Sequence, residues 1–243
     1  MTLRKNINCV VFDYGNTLVE FGTARIRACD RALAAALARA FGPVDFAALQ
    51  RLRHEDRLAP YAGDPPAWRE NRLEETTARA VRVLYGRAPT PAQLEALLRV
   101  RRTAFLDAVT APPGTAAVLA RLRERHRLAE LSNYPDGDAI RERLRRTGLA
   151  GFFEQVLVSG DLGLVKPHPR VFTALLEQMD LEPAGALFVG DNWLADVQGA
   201  RRAGMPVVWS TQWEAPEEMP RAPDDLPPHA VIRHLDELPG LLA

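Results

Sequence analysis

Ile7-Asn8-Cys9-Val10-Val11-Phe12-Asp13-Tyr14-Gly15-Asn16-Thr17-Leu18 is the stretch from which the fold can be read. Its first half is apolar and β-branched, broken only by Asn8 and Cys9, and it stops at an acid. A short run of this kind, ended by turn residues, reads as a strand buried on both faces. Strands of that sort belong to parallel sheets covered by helices, which requires more of them elsewhere in the chain, separated by helical patterns.

They recur at residues 128–131, 156–158, 186–189 and 207–209, with a weaker run at 230–232. Helical periodicity fills the gaps at 115–125, 138–146, 171–179 and 194–203. The expectation is an α/β fold with a doubly wound parallel sheet. Between the first strand and the second lies a long stretch, roughly 21–111, with helical spacing and no convincing strand. Ile26, Cys29, Leu33 and Leu37 recur at steps of three and four, and further helices are expected at 46–58, 67–84 and 91–107. A crossover between neighbouring strands needs far fewer residues. The excess reads as an inserted all-helical domain, joined to the core near 19–22 and 110–114. The domain division expected is therefore 1–20 with 111–243 as the α/β core, and 21–110 as the insertion. The segment 214–228, rich in proline and acid, reads as a surface loop.

A chain of 243 residues with 47% hydrophobic content can bury a full core. Basic and acidic residues balance at 31 each, which argues against nucleic acid or an anionic membrane surface as partner and for a small molecule. Nearly all the positive charge is arginine, since Lys5 and Lys166 are the only lysines. Cys9 and Cys29 form no disulfide framework, and a reducing cytoplasmic setting is expected. The apolar run after Arg4 and Lys5 is too short for a signal-peptide core, and no stretch reaches transmembrane length.

Four features fall at or just beyond the carboxyl ends of expected strands, where open α/β sheets bind ligands. Asp13 can serve as a carboxylate nucleophile, or simply open a turn. Ser132 and Asn133 offer a hydroxyl and an amide to phosphoryl oxygens, though Ser-Asn is also an ordinary turn opener. Lys166, followed by Pro167-His168-Pro169, can neutralise charge on a nucleophile and a phosphoryl group, or be a solvated lysine. Asp191 follows Gly190, and with Asp196 it would make an oxygen-rich site for Mg²⁺; the plain alternatives are a helix cap and a solvated face.

In this order and context the four resemble the motif series of the haloacid dehalogenase superfamily, over a span from Ile7 to Trp209. The insertion is similar in place to that family's helical cap between its first and second motifs, the C1-type arrangement on a Rossmann-like core. The resemblance implies a Mg²⁺-dependent hydrolase of a small phosphorylated metabolite, acting through an aspartyl phosphate. It implies Asp13 as nucleophile and metal ligand, the main-chain carbonyl of Gly15 as a further ligand, and Asp191 and Asp196 as the other acids at the metal. Ser132, Asn133 and Lys166 would hold the phosphoryl group, and Thr17 would support the loop after the nucleophile. Asn16 stands where the family has glycine, and asparagine tolerates the left-handed backbone such a turn needs.

One departure matters. The family's phosphatases carry a second aspartate two residues after the nucleophile, which protonates the leaving group; here that residue is Gly15. Such a group is worth about 10²- to 10⁴-fold in rate. His168 and Tyr14 are the nearest substitutes in sequence, although strand alternation points Tyr14 away from Asp13. The alternatives are a catalytically weak binding or regulatory protein on the same fold and, fitting less well, a haloacid dehalogenase. His54, His126, His229 and His234 show no metal spacing. Tyr61 and Trp68 read as core of the insertion or lining of a pocket, Trp193 as a wall of the site, and the arginines at 121–127 and 141–146 as exposed helix faces.

Overall fold

In the computed structural model, which describes residues 7–213 and 221–242, the opening run forms β1 (Cys9–Phe12), with all four side chains fully buried. Four helices follow: α1 (Thr23–Phe41), α2 (Phe46–Leu58), α3 (Leu73–Tyr85) and α4 (Pro91–Asp107). The chain then alternates through α5 (Pro113–Arg123), β2 (Arg127–Ser132), α6 (Gly137–Arg146), β3 (Gln155–Val158), the short α7 (Ser159–Leu162), α8 (Pro169–Met179) and β4 (Ala186–Gly190). A π-helical turn (Trp193–Gln198) runs into α9 (Gly199–Arg202), before β5 (Val207–Ser210), β6 (Ala230–Ile232) and a closing α10 (Leu238–Leu242).

All six strands pair in parallel, in the order β3-β2-β1-β4-β5-β6. The chain moves outward from β1 to β2 and β3, then returns to the other side of β1 with β4. That reversal opens a crevice at the carboxyl ends of β1 and β4, the place where doubly wound sheets bind ligands. Alternation along the strands divides the core in two. Val10, Phe12, Leu187 and Val189 pack into one apolar cluster, and Cys9, Val11, Ala186 and Phe188 into the other. The expected Rossmann-like α/β core is thus present, with helices on both faces.

The inserted helices form a cap with an apolar core of their own, built from Leu33 and Leu37 of α1, Leu49 of α2, Ala80 and Val81 of α3, and Leu97 of α4. Helices expected at 46–58 and 91–107 match α2 and α4 residue for residue. The capping box of α4 explains its sharp start: the Thr90 hydroxyl accepts from Gln93 N while the Gln93 side chain accepts from Thr90 N.

Two expectations need correction. The helix expected at 67–84 begins only at Leu73. Residues before it take their backbone hydrogen bonds from the core: Val165 N donates to Trp68 O (2.8 Å), and Glu70 N donates to Gly163 O (3.1 Å). Tertiary pairing has displaced local helical preference there. The arginines at 141–146 are not all exposed either. Arg143 lies on the same side of α6 as Ile140 and Leu144 and is fully buried. It donates from Nε to Tyr14 Oη (3.2 Å) and from Nη1 to Phe105 O, with its guanidinium 4.6 Å from the centre of the Phe105 ring. Of the expected loop at 214–228, residues 214–220 lie outside the described residues; 221–228 contain no helix or strand.

Glu130, in the middle of β2, is fully buried, and neither of its carboxylate oxygens has a hydrogen-bond partner among the described residues. Burial, and after it the charge on Asp13, pushes its carboxyl well above the usual carboxylate range. The folded chain therefore holds a proton that the unfolded chain gives up at an ordinary glutamate pKa. Protons are bound more by the folded state, so this group subtracts stability as pH rises above that range. Glu130→Gln, neutral and of the same shape, is expected to be more stable than the parent at pH 8 and to gain less at pH 5. Urea unfolding across that interval checks it; a stability difference that stays constant with pH contradicts it.

Candidate active site

β1 and β4 are neighbours, and Asp13 N donates to Val189 O (2.9 Å), carrying the ladder one step past β1. Asp13 is thereby set beside Gly190 and Asp191, 177 and 178 positions on in the chain. From the loop before α8, Lys166 reaches into the same crevice and is buried almost completely. Its ammonium donates to Asp13 Oδ1 (2.7 Å) and to Leu131 O (2.7 Å). It also lies 2.8 Å from Asp196 Oδ1, close enough for an ion pair although not aligned for a hydrogen bond. One carboxylate oxygen from each of Asp13, Asp191 and Asp196 falls within 4.8 Å of the others. The four residues separated in sequence converge.

The local backbone explains how. A Cβ on Gly190 would come within 2.4 Å of Asp196 Oδ2, so only glycine lets Asp196 fold back against the strand end. Asp196 sits on the π-helical turn, whose entry is fixed by Asn192: its Oδ1 accepts from Ala195 N (2.8 Å), while its own N donates to Asp196 Oδ2 (2.9 Å). Single π-turns inside helices are recurrent at functional sites. Trp209 Nε1 holds the other side of the loop through Asp191 O (2.8 Å).

The electrostatics are unbalanced. Burial, with the Asp196 charge adding to it and Lys166 opposing, pushes Asp13 up to about 6. Burial and then the charges of Asp13 and Asp196 raise Asp191 well above the carboxylate range. Burial alone would lower Lys166, but Asp13 and Asp196 hold it above the usual lysine range. Three acids around one ammonium leave a deficit of positive charge, and an oxygen-only donor set of this kind suits a hard divalent cation.

The loop after Asp13 has the turn expected of it. Asn16 adopts φ +55°, in the left-handed region, and its Oδ1 accepts from Phe21 N (2.8 Å). Thr17 is fully buried, and its hydroxyl has no hydrogen-bond partner among the described residues. Ser132 ends β2 and borders the cavity described below. Asn133 grips the main chain of Lys166 from both sides: Oδ1 accepts from Lys166 N (2.8 Å) and Nδ2 donates to Lys166 O (3.0 Å). Its Nδ2 also donates to Tyr61 Oη (3.0 Å), from the cap.

A cavity of about 320 Å³ separates core and cap. Gly15, Ser132, Asn133 and Asn192 border it from the core, and Ile26, Tyr61, Glu70 and Arg101 from the cap. The apolar stripe expected on α1 therefore serves two ends, with Leu33 and Leu37 in the cap core and Ile26 and Cys29 along the cavity. Tyr61 is lining with a polar contact to Asn133, and Trp68 packs edge-to-face on it, with ring centres 5.5 Å apart. Trp193 instead packs against Trp209 and donates to Asp225 Oδ2 (2.7 Å); Asn192 is the residue of that loop at the cavity. Both substitute acids are otherwise engaged. His168 caps α8 by accepting from Arg170 N (3.2 Å), and Tyr14, although it borders the cavity, packs in the apolar cluster of Val10 and Phe12 with its hydroxyl accepting from Arg143 Nε (3.2 Å). Three features were not foreseen: the buried Arg143, the edge formed by Trp68 to Glu70, and Arg101. The step of three from Ile140 to Arg143 was the available signal for the first; pairing between distant segments left none for the second.

A model of the haloacid dehalogenase-like hydrolases matches residues 7–204. A phosphoserine phosphatase of Thermus thermophilus is 37% identical over 171 residues, covering 70% of this chain and 64% of that protein. A glyceraldehyde 3-phosphate phosphatase of Pyrococcus abyssi is 38% identical over 100 residues, covering 40% and 41%. The chain thus matches less than two thirds of the length of either relative. Among solved structures, the magnesium-bound putative HAD-hydrolase YfnB of Bacillus subtilis superposes with a TM-score of 0.70 at 20% identity, covering 98% of this chain and 99% of that one. A 2-haloacid dehalogenase of Pseudomonas syringae does so at 0.73 and 24%, covering 97% of each. At such identities these structures speak for the fold alone.

Lys166→Met removes the one ammonium and leaves Asp13 and Asp196 buried side by side. Breaking a buried ion pair costs about 3–5 kcal/mol. The metal-free variant is expected to lose stability of that order at pH 8 and to recover part of it by pH 5, where protonation relieves the acids. Urea unfolding of both proteins over that range is the check, and a loss independent of pH contradicts the charge balance described.

Proposed function

The chain belongs to the haloacid dehalogenase-like hydrolases, and from that membership we propose that it is a Mg²⁺-dependent phosphatase of a small phosphorylated metabolite. The observation that carries the reading is the convergence of Asp13, Lys166, Asp191 and Asp196 at one strand-end crevice. Phosphatases among its relatives support the substrate class. In this reading residues 1–20 and 111–243 are the core, 21–110 the cap, and the protein works in the cytoplasm, in keeping with two free cysteines.

Asp13 attacks phosphorus through its carboxylate as the bond from phosphorus to the ester oxygen breaks; the alcohol leaves with a proton from water, and water then cleaves the aspartyl phosphate to free phosphate, so that one difficult displacement is split into two. Lys166 keeps Asp13 ionised at neutral pH and faces the phosphoryl oxygens with its charge. Asn133 fixes Lys166 in place, Ser132 donates from the end of β2, and the unpartnered hydroxyl of Thr17 supports the loop after Asp13. Asp13, Asp191, Asp196 and the Gly15 carbonyl would hold the cation. When bound, it supplies charge neutralisation for nucleophile and phosphoryl group. The Thr17 orphan and the clustered acids both favour a site built to hold ligands.

Gly15 leaves leaving-group protonation without its usual residue, and this favours a slow enzyme or, as a second reading, a binding or regulatory protein of the same fold. Space does not explain the absence. A Cβ on Gly15 would meet only Phe21 Cβ, at an ordinary 3.5 Å, and the backbone there is not left-handed. Dehalogenation fits less well, since Asp191 and Asp196 would have no evident task beside the Asp13 nucleophile.

Hydrolysis of p-nitrophenyl phosphate is expected to need Mg²⁺ and to vanish in Asp13→Asn; absence of turnover on this ester and on acetyl phosphate supports the binding protein. Gly15→Asp is expected to raise kcat on alkyl phosphates, up to the about 10²- to 10⁴-fold span of such a group. A folded Gly15→Asp protein with unchanged kcat contradicts the account of the deficit.

A further inference from the structure

Arg101 projects from α4 to the cavity between cap and core. Its Nη1 is tethered to α3, donating to Leu73 O (3.2 Å), Thr76 Oγ1 (3.0 Å) and Thr77 Oγ1 (2.5 Å). Nε and Nη2 make no hydrogen bond among the described residues, and the residue borders the cavity. The tether therefore holds the guanidinium while leaving its other edge open to the cavity. No carboxylate lies within 4.0 Å of it among the described residues, whereas the neighbouring Arg53 is matched to Asp30 (3.4 Å) and Asp56 (3.7 Å). Asp56 is further taken by Arg79 (2.6 Å). The acid of Glu70 is occupied as well, accepting from Ser159 Oγ and from Asn71 N.

A guanidinium so placed is costly. Burial, and after it the repulsion of Arg53, pushes it down to about 9, still charged at neutral pH. The side chains of Leu73 and Phe105, which also border the cavity, offer it no counter-charge. Such a cation is tolerable when an anion arrives with the ligand, and the geometry of a free guanidinium edge fits a planar carboxylate in two-point contact. The core side of the same cavity is bordered by Gly15, two residues after Asp13, and by Ser132, next to the Leu131 carbonyl that holds Lys166, which sets the phosphoryl end at that side. We propose that Arg101 anchors a carboxylate at the end of the substrate remote from its phosphate, so that the site selects small phosphorylated acids over neutral or cationic phosphate esters. This rests on the phosphatase reading for the reaction, but not for the binding.

The test compares 3-phosphonopropionate with its amide, 3-phosphonopropionamide, which differ in one charge at nearly constant size and cannot be hydrolysed. Binding is measured by calorimetry with Mg²⁺ present. A charge-assisted pair in an enclosed site makes the acid bind at least about 10-fold more tightly to the parent protein. Arg101→Met is expected to bring the two ligands within about 2-fold, and Arg101→Lys to keep part of the preference. Should Arg101→Met fail to fold, the parent comparison and Arg101→Lys still decide. Equal binding of acid and amide, binding of neither, or a preference that survives in Arg101→Met overturns the proposal. Turnover of phosphate esters is read separately. Discrimination without turnover keeps Arg101 as anchor and removes the phosphatase reading; turnover without discrimination does the reverse.

Discussion

One buried ammonium group organises this molecule. Lys166 lies between Asp13 and Asp196, at the junction of β1 and β4, with a main-chain oxygen of β2 as its third partner. Two buried acids in that position would repel each other without it, and the lysine would be expelled or neutralised without them. Each of the three elements that supply these groups comes from a different part of the chain. Their ion pairs therefore act as a register for the crevice as well as a source of charge. The glycine at 190, the Asn192 cap and the Asn133 clamp all hold this small cluster in place.

Much of this was legible in the sequence because the chemistry of burial is strongly patterned there. The strand Cys9–Phe12 announces itself by a run of apolar residues ending in an acid, and the switch of periodicity around 21 and 111 marks the insertion. Asp13, Lys166, Asp191 and Asp196 could be picked out because each closes or follows such a run. Contacts between segments distant in the chain were not legible. Residues 68–70 have helical composition but pair with 163–165, and Arg143 looks like one of several surface arginines until the aromatic groups around it are in place. The π-helical turn carrying Asp196 likewise reads as plain helix, and the close packing of Asp196 against Gly190 leaves no mark in the local periodicity.

The cap divides labour with the core along physical lines. The core supplies strand ends and charged groups held by hydrogen bonds and ion pairs. The cap supplies a wall of mixed apolar and charged residues, a tyrosine reaching Asn133, and an arginine tethered to α3. Its edge at Trp68 to Glu70 is bonded directly to the strand of chain that leads to Lys166. The cap edge and the placement of the ammonium are thus mechanically linked, since Val165, the last residue of the bonded segment, directly precedes the lysine.

The proposed chemistry requires Asp13, Asp191, Asp196 and Lys166 to form a single site for a divalent cation and a phosphoryl group. A crystal structure of the protein grown with Mg²⁺ and beryllium fluoride tests this most directly. The expected result is a trifluoroberyllate bonded to an Asp13 carboxylate oxygen, contacted by Lys166 and Ser132, with the cation against Asp13 and Asp191. A bare Asp13 in a crystal where the cation and the fluoride lie elsewhere would contradict it.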